Sequence, residues 1–314
     1  MALTMKAATI HAFGGAEVLK LEDVVRPTPA KGEVLVKLRA AGINPIDYKT
    51  REGAGANRRW KETVFPVILG WDLSGVVEYS NDPAWKSGDE VYALASYPQL
   101  GRAYAEYAAV PAAHLAAKPR SLDHVHAAAV PLAALTAWQA IFEKSGLSAG
   151  QTILIHAAAG GVGHFAVQFA KWKGAKVIAT ASGRNEAFVK GLGADQFIDY
   201  TTTVFEQVVK DVDVVFHTIG ADFRPRSWKV VKKGGWLVGI TGQFPEDEGN
   251  AYGARGGFIG VRPDGKQLAQ IGSLIDEGKV RVTLDKTYPL ADIAKAHQHV
   301  AGGHTRGKVV VTIG

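Results

Sequence analysis

The sequence predicts an α/β protein that combines a small, β-rich, barrel-like domain with a doubly wound parallel sheet. Over residues 1–122, short runs of strand-forming residues are separated by Gly and Pro, which is typical of a small β unit. From about residue 125 the pattern changes to alternating helices and strands, which indicates a parallel sheet. Strand signals return in residues 265–314. We therefore expect residues 1–122 and 265–314 to form one domain, and residues 123–264 a second domain inserted into it.

The clearest strand of the first part covers residues 33–40. Val34, Val36 and Leu38 alternate there with Lys37 and Arg39, so that one face is apolar. Further strands are predicted over residues 6–12, 73–79, 90–94 and 105–110. The predicted strands of the parallel sheet are 152–156, 176–180, 196–199, 212–217, 236–240 and 258–261. A helix over residues 266–277 then leads to strands at 280–282 and 308–313.

The most informative segment is the turn that follows the strand at 152–156. Three of its residues match the pattern G-x-G-x-x-G, with Ala in the first position, and the turn reads Ala158, Ala159, Gly160, Gly161, Val162, Gly163. Small residues let the main chain approach a pyrophosphate, and a helix over 162–173 directs its positive dipole end at the phosphates. Glycines also occur in ordinary tight turns. Strand, turn, helix and second strand nevertheless appear here in the order of a dinucleotide site.

The end of the second strand, at residues 176–180, distinguishes between the two nicotinamide dinucleotides. An NAD site usually has Asp or Glu there, which binds the 2′-hydroxyl of the ribose. This chain has Ser182 and Arg184 instead. A guanidinium pairs well with a 2′-phosphate, and a hydroxyl adds a hydrogen bond. The sequence therefore predicts NADP(H), with a solvated loop role for Arg184 as the alternative.

Composition limits the other possibilities. The chain of 314 residues contains no cysteine, which excludes disulfides and thiolate metal sites. The net charge of +6 suits an anionic cofactor, and its basic residues are dispersed, which argues against a nucleic-acid partner. The longest apolar run is too short to span a bilayer, and the start lacks the apolar core of a signal peptide. We expect a cytoplasmic protein without membrane association.

Several motifs occur in the order found in one known family. They are Asn44-Pro45-Ile46-Asp47-Tyr48-Lys49, Gly70-Trp71-Asp72, Gly88-Asp89-Glu90-Val91, Ala134-Leu135-Thr136, the glycine turn, Arg262-Pro263 and Gly307-Lys308. With them the chain resembles the zinc-independent quinone and enone reductases of the medium-chain dehydrogenase/reductase family. The resemblance implies a GroES-like domain, a Rossmann domain and hydride transfer from NADPH to an α,β-unsaturated carbonyl or a quinone. Zinc alcohol dehydrogenases of this family carry Gly-His-Glu where this chain has Gly70-Trp71-Asp72. We therefore expect no metal.

The resemblance also implies roles for individual residues. Lys49 is the first candidate for a donor to the substrate oxygen and to the nicotinamide ribose. Asn44 and Tyr48 are further catalytic candidates, although Asn44 equally fits a turn and Tyr48 equally fits packing. The remaining candidates for cofactor contacts are Thr136, Tyr200, Ile219, Thr241, Arg262 and Lys308. A structural salt bridge is an equal alternative for Arg262.

Two other functions remain open at this point. One is a crystallin-like or RNA-binding protein that binds NADPH but catalyses little, and the other is an enoyl-thioester reductase. The substrate is in each catalytic case a small molecule. We also expect a homodimer in which the last sheet strand, at residues 258–261, pairs with its symmetry mate.

Overall fold

The computed structural model describes residues 2–314, which divide into two compact units. The β-rich unit contains residues 2–135 and 262–314, and the parallel-sheet unit contains residues 136–261. The domain boundaries expected after residues 122 and 264 stay a prediction. The division into two compact units shows where contacts are dense, and it does not test which segments fold on their own. No helix within residues 2–314 has both the length and the apolar character needed to cross a membrane.

The strands are numbered in chain order. They are β1 (Thr4–Ile10), β2 (Lys20–Val25), β3 (Glu33–Ile43), β4 (Val67–Ile68), β5 (Asp72–Ser80), β6 (Glu90–Leu94), β7 (Tyr107–Pro111), β8 (Leu115–Ala117), β9 (Thr152–Ile155), β10 (Lys176–Ala181), β11 (Gln196–Asp199), β12 (Val212–His217), β13 (Val231–Gly239), β14 (Arg255–Phe258), β15 (Leu284–Pro289) and β16 (Lys308–Thr312).

The α-helices are numbered in the same way. They are α1 (Pro45–Arg51), α2 (His124–Ala128), α3 (Pro131–Trp138), α4 (Gly163–Trp172), α5 (Glu186–Gly191), α6 (Phe205–Val208), α7 (Arg224–Trp228), α8 (Gly265–Asp276) and α9 (Ile293–Ala301). A π-helix, Gln139–Lys144, follows α3 directly.

Strand β3 organises the β-rich unit. It pairs antiparallel with β5, β7 and β16, and β16 in turn pairs parallel with β15. A second, smaller sheet has the order β2-β1-β4. The apolar face predicted for residues 33–40 is confirmed, because Val34, Val36 and Leu38 are buried in the main core of this unit. Strand β3 continues beyond Ala40 to Ile43 because its last residues pair with β16.

The parallel-sheet unit has the strand order β11-β10-β9-β12-β13-β14, with every pair parallel. This is the doubly wound arrangement predicted from the alternating pattern. From β9 the chain adds β10 and β11 on one side of the sheet, and from β12 it adds β13 and β14 on the other side. The order of the strands therefore reverses between β9 and β12. In open sheets of this kind, ligands bind outside the carboxyl ends of the strands at that switch point.

Two of the predicted strands are wrong. Residues 280–282 form no strand, and the chain instead pairs through β15, four residues later. The strand predicted at 258–261 is β14, which begins at Arg255. Gly256 and Gly257 concealed it, because glycine weakens strands in general. Gly256 is needed here, since a Cβ on it would lie 2.5 Å from the Trp228 ring, whereas a Cβ on Gly257 would meet only the end of the Lys144 side chain, which can move aside.

The pairing of β3 with β5 leaves no space at Gly75. A Cβ there would contact the carbonyl oxygen of Lys37 and lie 2.9 Å from Cα of Leu38 in the opposite strand. These are main-chain atoms, which cannot turn away. We expect Gly75→Ala to lower the free energy of unfolding by about 1–3 kcal/mol, the usual cost of overpacking.

The matched control is Gly191→Ala in α5, where a Cβ would meet no atom within 4 Å. Replacing a helical glycine stabilises a protein by about 0.4–1 kcal/mol through the unfolded state. Urea denaturation measures both variants. Equal unfolding midpoints for Gly75→Ala and Gly191→Ala would contradict the assigned packing at Gly75.

Candidate functional site

The glycine turn of the parallel-sheet unit follows β9 and enters α4. Ala157 has a left-handed backbone with φ of 47°, and its carbonyl oxygen accepts a hydrogen bond of 2.9 Å from the N–H of Gly160. A Cβ on Gly163 would collide with that same oxygen and lie 2.8 Å from Cα of Ala158. The turn therefore closes on itself through main-chain contacts, and only glycine fits at residue 163.

The turn is suited to a pyrophosphate. Ala158 and Ala159 are buried, and Gly160, Gly161 and Val162 are half-buried, so small groups line the start of α4. The first N–H groups of a helix lack intrahelical partners, and the helix dipole favours anions there. Four apolar residues of α4 are fully buried, which fixes its axis against the sheet; they are Phe165, Ala166, Phe169 and Ala170.

Three predicted cofactor residues meet at the carboxyl ends of β10 and β11. Ser182 follows β10 directly, and its Oγ accepts a hydrogen bond of 3.0 Å from Asn185. Arg184 lies in a short 3₁₀ helix, Gly183–Asn185, with an exposed side chain. Tyr200 lies beside them, because its N–H donates to the carbonyl of Ala181 at 3.2 Å. Residues 181–185 contain no acid.

Ile219 and Thr241 meet on the other side of the switch point. They follow β12 and β13, and the hydroxyl of Thr241 donates to the carbonyl oxygen of Ile219. Both residues are half-buried. Thr136 belongs to the same unit, where it is buried near the end of α3. The structure thus joins Ile219 to Thr241 directly, and it leaves the predicted cofactor contacts of all three residues as predictions.

A buried histidine network, which the sequence did not reveal, ties the ends of β9 and β12 together. His156 lies 3.0 Å from Oγ1 of Thr180 and 3.1 Å from Oγ of Ser227, and His217 lies 3.1 Å from the same Ser227 hydroxyl. Burial lowers the pKa of His156 to about 3, with a contribution from His217, and it lowers the pKa of His217 to about 4. Both rings are therefore neutral at physiological pH. The only sequence signal was their position at two predicted strand ends.

In the β-rich unit, α1 carries the predicted catalytic residues. It begins after Asn44, and the N–H of Asn44 donates to Oδ2 of Asp47 at 2.5 Å, which satisfies the first turn. Lys49 is exposed. Tyr48 is half-buried against the core, and burial raises the pKa of its phenol. The phenol therefore remains protonated at neutral pH.

Beneath α1 lies a buried ionic cluster of Asn44, Asp47, Asp72, Tyr104 and Lys308. Asn44 donates to Oδ2 of Asp72 at 2.9 Å and accepts a hydrogen bond from the Lys308 ammonium. The ammonium also donates to the carbonyl of Ile43 at 3.1 Å and lies 3.4 Å from Asp72. Both polar ends of Asn44 are thus engaged within the protein. The catalytic role of Asn44 and the cofactor contact of Lys308 stay predictions.

The cluster holds two carboxyl groups and one ammonium group. Asp47 accepts from the Tyr104 hydroxyl at 2.8 Å through Oδ2, and its buried Oδ1 has no hydrogen-bond partner. Burial raises the pKa of Asp47 to about 7 and also raises the pKa of Asp72, although Lys308 acts against the shift of Asp72. With one cation for two buried acids, the cluster takes up a proton as the pH falls through about 7, and Asp47 is the site that binds it.

Arg262 forms the salt bridge that the sequence left as an alternative. Its guanidinium lies 3.6 Å from Asp264, and about half of its side chain is exposed. A role for Arg262 in cofactor binding stays a prediction.

The donor set for a zinc site of the dehydrogenase type is not present. The chain has no cysteine, and no group of three His, Asp or Glu residues within residues 2–314 could hold a metal ion. At the motif position that differs from the zinc enzymes, the Trp71 indole donates to the carbonyl of Gln99, and Asp72 belongs to the ionic cluster.

The raised pKa of Asp47 predicts how the stability of the protein depends on pH. The folded-state pKa lies above the ordinary value of 3.8, so the stability contributed by this proton is fully present below that value and is lost as the pH rises to about 7. Asp47→Asn cannot lose this proton. We expect the stability advantage of wild type over Asp47→Asn to shrink from about pH 5 to about pH 7. Urea denaturation at a series of pH values measures it, and parallel profiles would show that Asp47 is ionised throughout.

Comparison with known proteins places these features in one family. Residues 30–120 match the model of the alcohol dehydrogenase GroES-like domain, and residues 192–311 match the model described as zinc-binding dehydrogenase. The chain is 37% identical to the chloroplastic NADPH-dependent alkenal/one oxidoreductase of Arabidopsis thaliana, over 98% of this chain and 79% of the relative. It is 36% identical to the 2-methylene-furan-3-one reductase of Solanum lycopersicum, with the same coverage of both chains.

A solved structure of a related enzyme has the same fold. The quinone oxidoreductase from Coxiella burnetii superimposes with a TM-score of 0.92 at 36% identity, over 99% of this chain and 100% of that one. The predicted combination of a GroES-like domain with a Rossmann sheet is confirmed. On its sequence, its domains and its fold, the chain belongs to the medium-chain dehydrogenase/reductase family.

Proposed function

We propose that this protein is an NADPH-dependent reductase that transfers hydride to an α,β-unsaturated carbonyl or a quinone without a metal ion. The main support comes from the carboxyl end of β10, where Ser182 and Arg184 occupy the place at which an NAD site has an acid. The relatives support it, since one is an NADPH-dependent alkenal/one oxidoreductase and another a quinone oxidoreductase.

The parallel-sheet unit fits the cofactor. The main chain of the glycine turn and the start of α4 bind the pyrophosphate, because no side chain intervenes at Gly160 or Gly163. Arg184 and Ser182 bind the 2′-phosphate through charged and neutral hydrogen bonds. Thr136, Tyr200, Ile219 and Thr241 contribute the remaining contacts of this unit. When bound, the reduced nicotinamide supplies the hydride.

The β-rich unit supplies the donors for the substrate. Negative charge develops on the acceptor oxygen as hydride arrives at the conjugated carbon, and Lys49 stabilises this charge. Its exposed ammonium is accessible to a small molecule. Tyr48 keeps its proton at neutral pH and is therefore a proton donor, with water as the other source. In this proposal Lys308 stabilises the ionic cluster under α1, and α1 is the helix that contains Tyr48 and Lys49.

We also propose that the protein is a homodimer without a nucleic-acid partner. Strand β14 is at the edge of the six-stranded sheet and pairs on one side with β13, which leaves its other edge for a symmetry mate. Many basic side chains are paired with acids, as Lys171 is with Asp195, rather than collected into one stripe. The cytoplasmic location stays a prediction, and the Arabidopsis relative is named as chloroplastic.

A substrate panel tests the proposed reaction. NADPH oxidation is followed by absorbance with a simple enone, a quinone, a saturated ketone and an enoyl thioester. We expect turnover with the enone or the quinone and none with the saturated ketone. Turnover confined to the thioester would identify an enoyl-thioester reductase. NADPH binding without turnover on any acceptor would identify a binding protein.

Lys49→Met tests the proposed donor. Because loss of one donor to a developing oxyanion typically costs a factor of about 10²–10³, we expect enone turnover to fall by that amount. The matched control is Lys31→Met, which removes an exposed lysine from a turn outside the proposed site. Turnover is measured at saturating NADPH and enone. Equal turnover of Lys49→Met and Lys31→Met would remove Lys49 from the mechanism.

A further inference from the structure

The loop that carries Ser182 and Arg184 is held from the neighbouring strand. Asp199, the last residue of β11, pairs in register with Ala181, the last residue of β10. Its Oδ1 accepts hydrogen bonds from the N–H of Thr201 at 2.9 Å and from the Thr201 hydroxyl at 2.7 Å. The N–H of Gly183 donates to the same carboxylate. A single acid therefore ties two consecutive strand ends together.

The Asp199 carboxylate occupies the space that a side chain on Gly183 would need. Its φ lies outside the left-handed region, so the backbone conformation itself accepts any residue. A Cβ on Gly183 would collide with Oδ2 of Asp199 and lie 3.3 Å from its Cγ. The missing side chain thus lets the carboxylate reach the main chain of the loop.

The rest of the loop is held internally. The N–H of Asn185 donates to the carbonyl of Ser182 at 2.8 Å, and its side chain donates to the Ser182 hydroxyl at 3.0 Å. Arg184 lies between Gly183, which Asp199 holds, and Asn185, which holds Ser182. The position of the Arg184 main chain is consequently set from both sides.

An acid so close to a phosphate site would ordinarily oppose an anionic ligand. Here donors of its own chain, the Thr201 hydroxyl, the Thr201 N–H and the Gly183 N–H, hydrogen-bond the carboxylate and offset part of its charge; they lower its pKa, so it stays ionised at neutral pH. It is also on β11, and an acid that binds the ribose hydroxyl of NAD is at the end of the second strand, here β10. The geometry therefore indicates that Asp199 holds the loop and does not bind the ribose.

We propose that Asp199 is a positioning residue for the selection of NADPH over NADH. By holding the N–H of Gly183, it orients Ser182 and Arg184 toward the 2′-phosphate, the only group that distinguishes the two cofactors. This inference rests on the proposed function. It extends that function by naming the residue through which Arg184 is placed.

The same strand pair offers a matched control. Asp195, just before β11, accepts the N–H of Val177 in β10 at 2.8 Å and the Lys171 ammonium at 2.5 Å. It performs the same kind of bridge between the same two strands, at the end of the sheet away from the predicted cofactor. Asp195→Asn therefore reports the purely structural effect of losing such an acid.

The experiment measures dissociation constants of NADPH and NADH by nicotinamide fluorescence, with urea denaturation to show that each variant is folded. The variants are Asp199→Asn, Gly183→Ala, Arg184→Ala, Asp195→Asn and the double variant of Asp199→Asn with Arg184→Ala. Asparagine has one acceptor oxygen and cannot serve both Thr201 and Gly183. We expect Asp199→Asn and Gly183→Ala to weaken NADPH binding about tenfold and NADH binding less than about twofold.

Two further results are expected. Asp195→Asn leaves the ratio of the two dissociation constants at its wild-type value. In the Arg184→Ala background, Asp199→Asn weakens NADPH binding much less than it does in the wild-type background, because Asp199 acts mainly through Arg184.

An unchanged ratio in Asp199→Asn would overturn the inference, and so would an additive loss in the double variant. Tighter NADPH binding by Asp199→Asn would also overturn it, because the acid would then act as a charge that opposes the phosphate. A wild-type protein that binds NADH as tightly as NADPH would overturn the proposed cofactor together with this inference. That failure is visible in the wild type alone, so the two failures are distinguished.

Discussion

The close approach of main chain to main chain after β9 is the constraint on which the parallel-sheet unit depends. Gly163 meets the carbonyl of Ala157, and Ala157 itself takes a left-handed backbone conformation. Any side chain at residue 163 would push the start of α4 away from the strand end. The close approach allows the first N–H groups of α4 to point at the space above the switch point, where an anion is stabilised.

Each of the two units contains one buried polar network, and the two networks differ in charge. The histidine network contains no charge, since burial keeps His156 and His217 neutral and Ser227 hydrogen-bonds both rings. The ionic cluster contains a cation and two acids, and a proton on Asp47 balances it. Most polar groups of each network are paired locally, because an unpaired buried charge would cost several kcal/mol, and Oδ1 of Asp47 is the exception.

The ionic cluster also explains how this chain departs from the zinc enzymes of its family. Where those have Gly-His-Glu, this chain has Gly70-Trp71-Asp72. The Trp71 ring is buried and its N–H is satisfied by Gln99, while Asp72 is bound to Asn44 and lies beside the Lys308 ammonium. The Lys308 ammonium thus lies beside Asp72, the acid of this motif. The proposed function assigns charge stabilisation during the reaction to Lys49 instead.

The sequence by itself determined the two architectures, the glycine turn and the strand end at Ser182 and Arg184, because these depend on local periodicity and on turn chemistry that neighbouring residues encode. It placed the start of β14 three residues too late and the start of β15 four residues too early, since Gly256 is required by the distant Trp228 ring and β15 is fixed by pairing with β16. The ionic cluster and the bridge from Asp199 to Gly183 were decided only by the tertiary structure. Their members are up to 264 residues apart, as Asn44 and Lys308 are, and no local pattern records which polar groups meet when the chain folds.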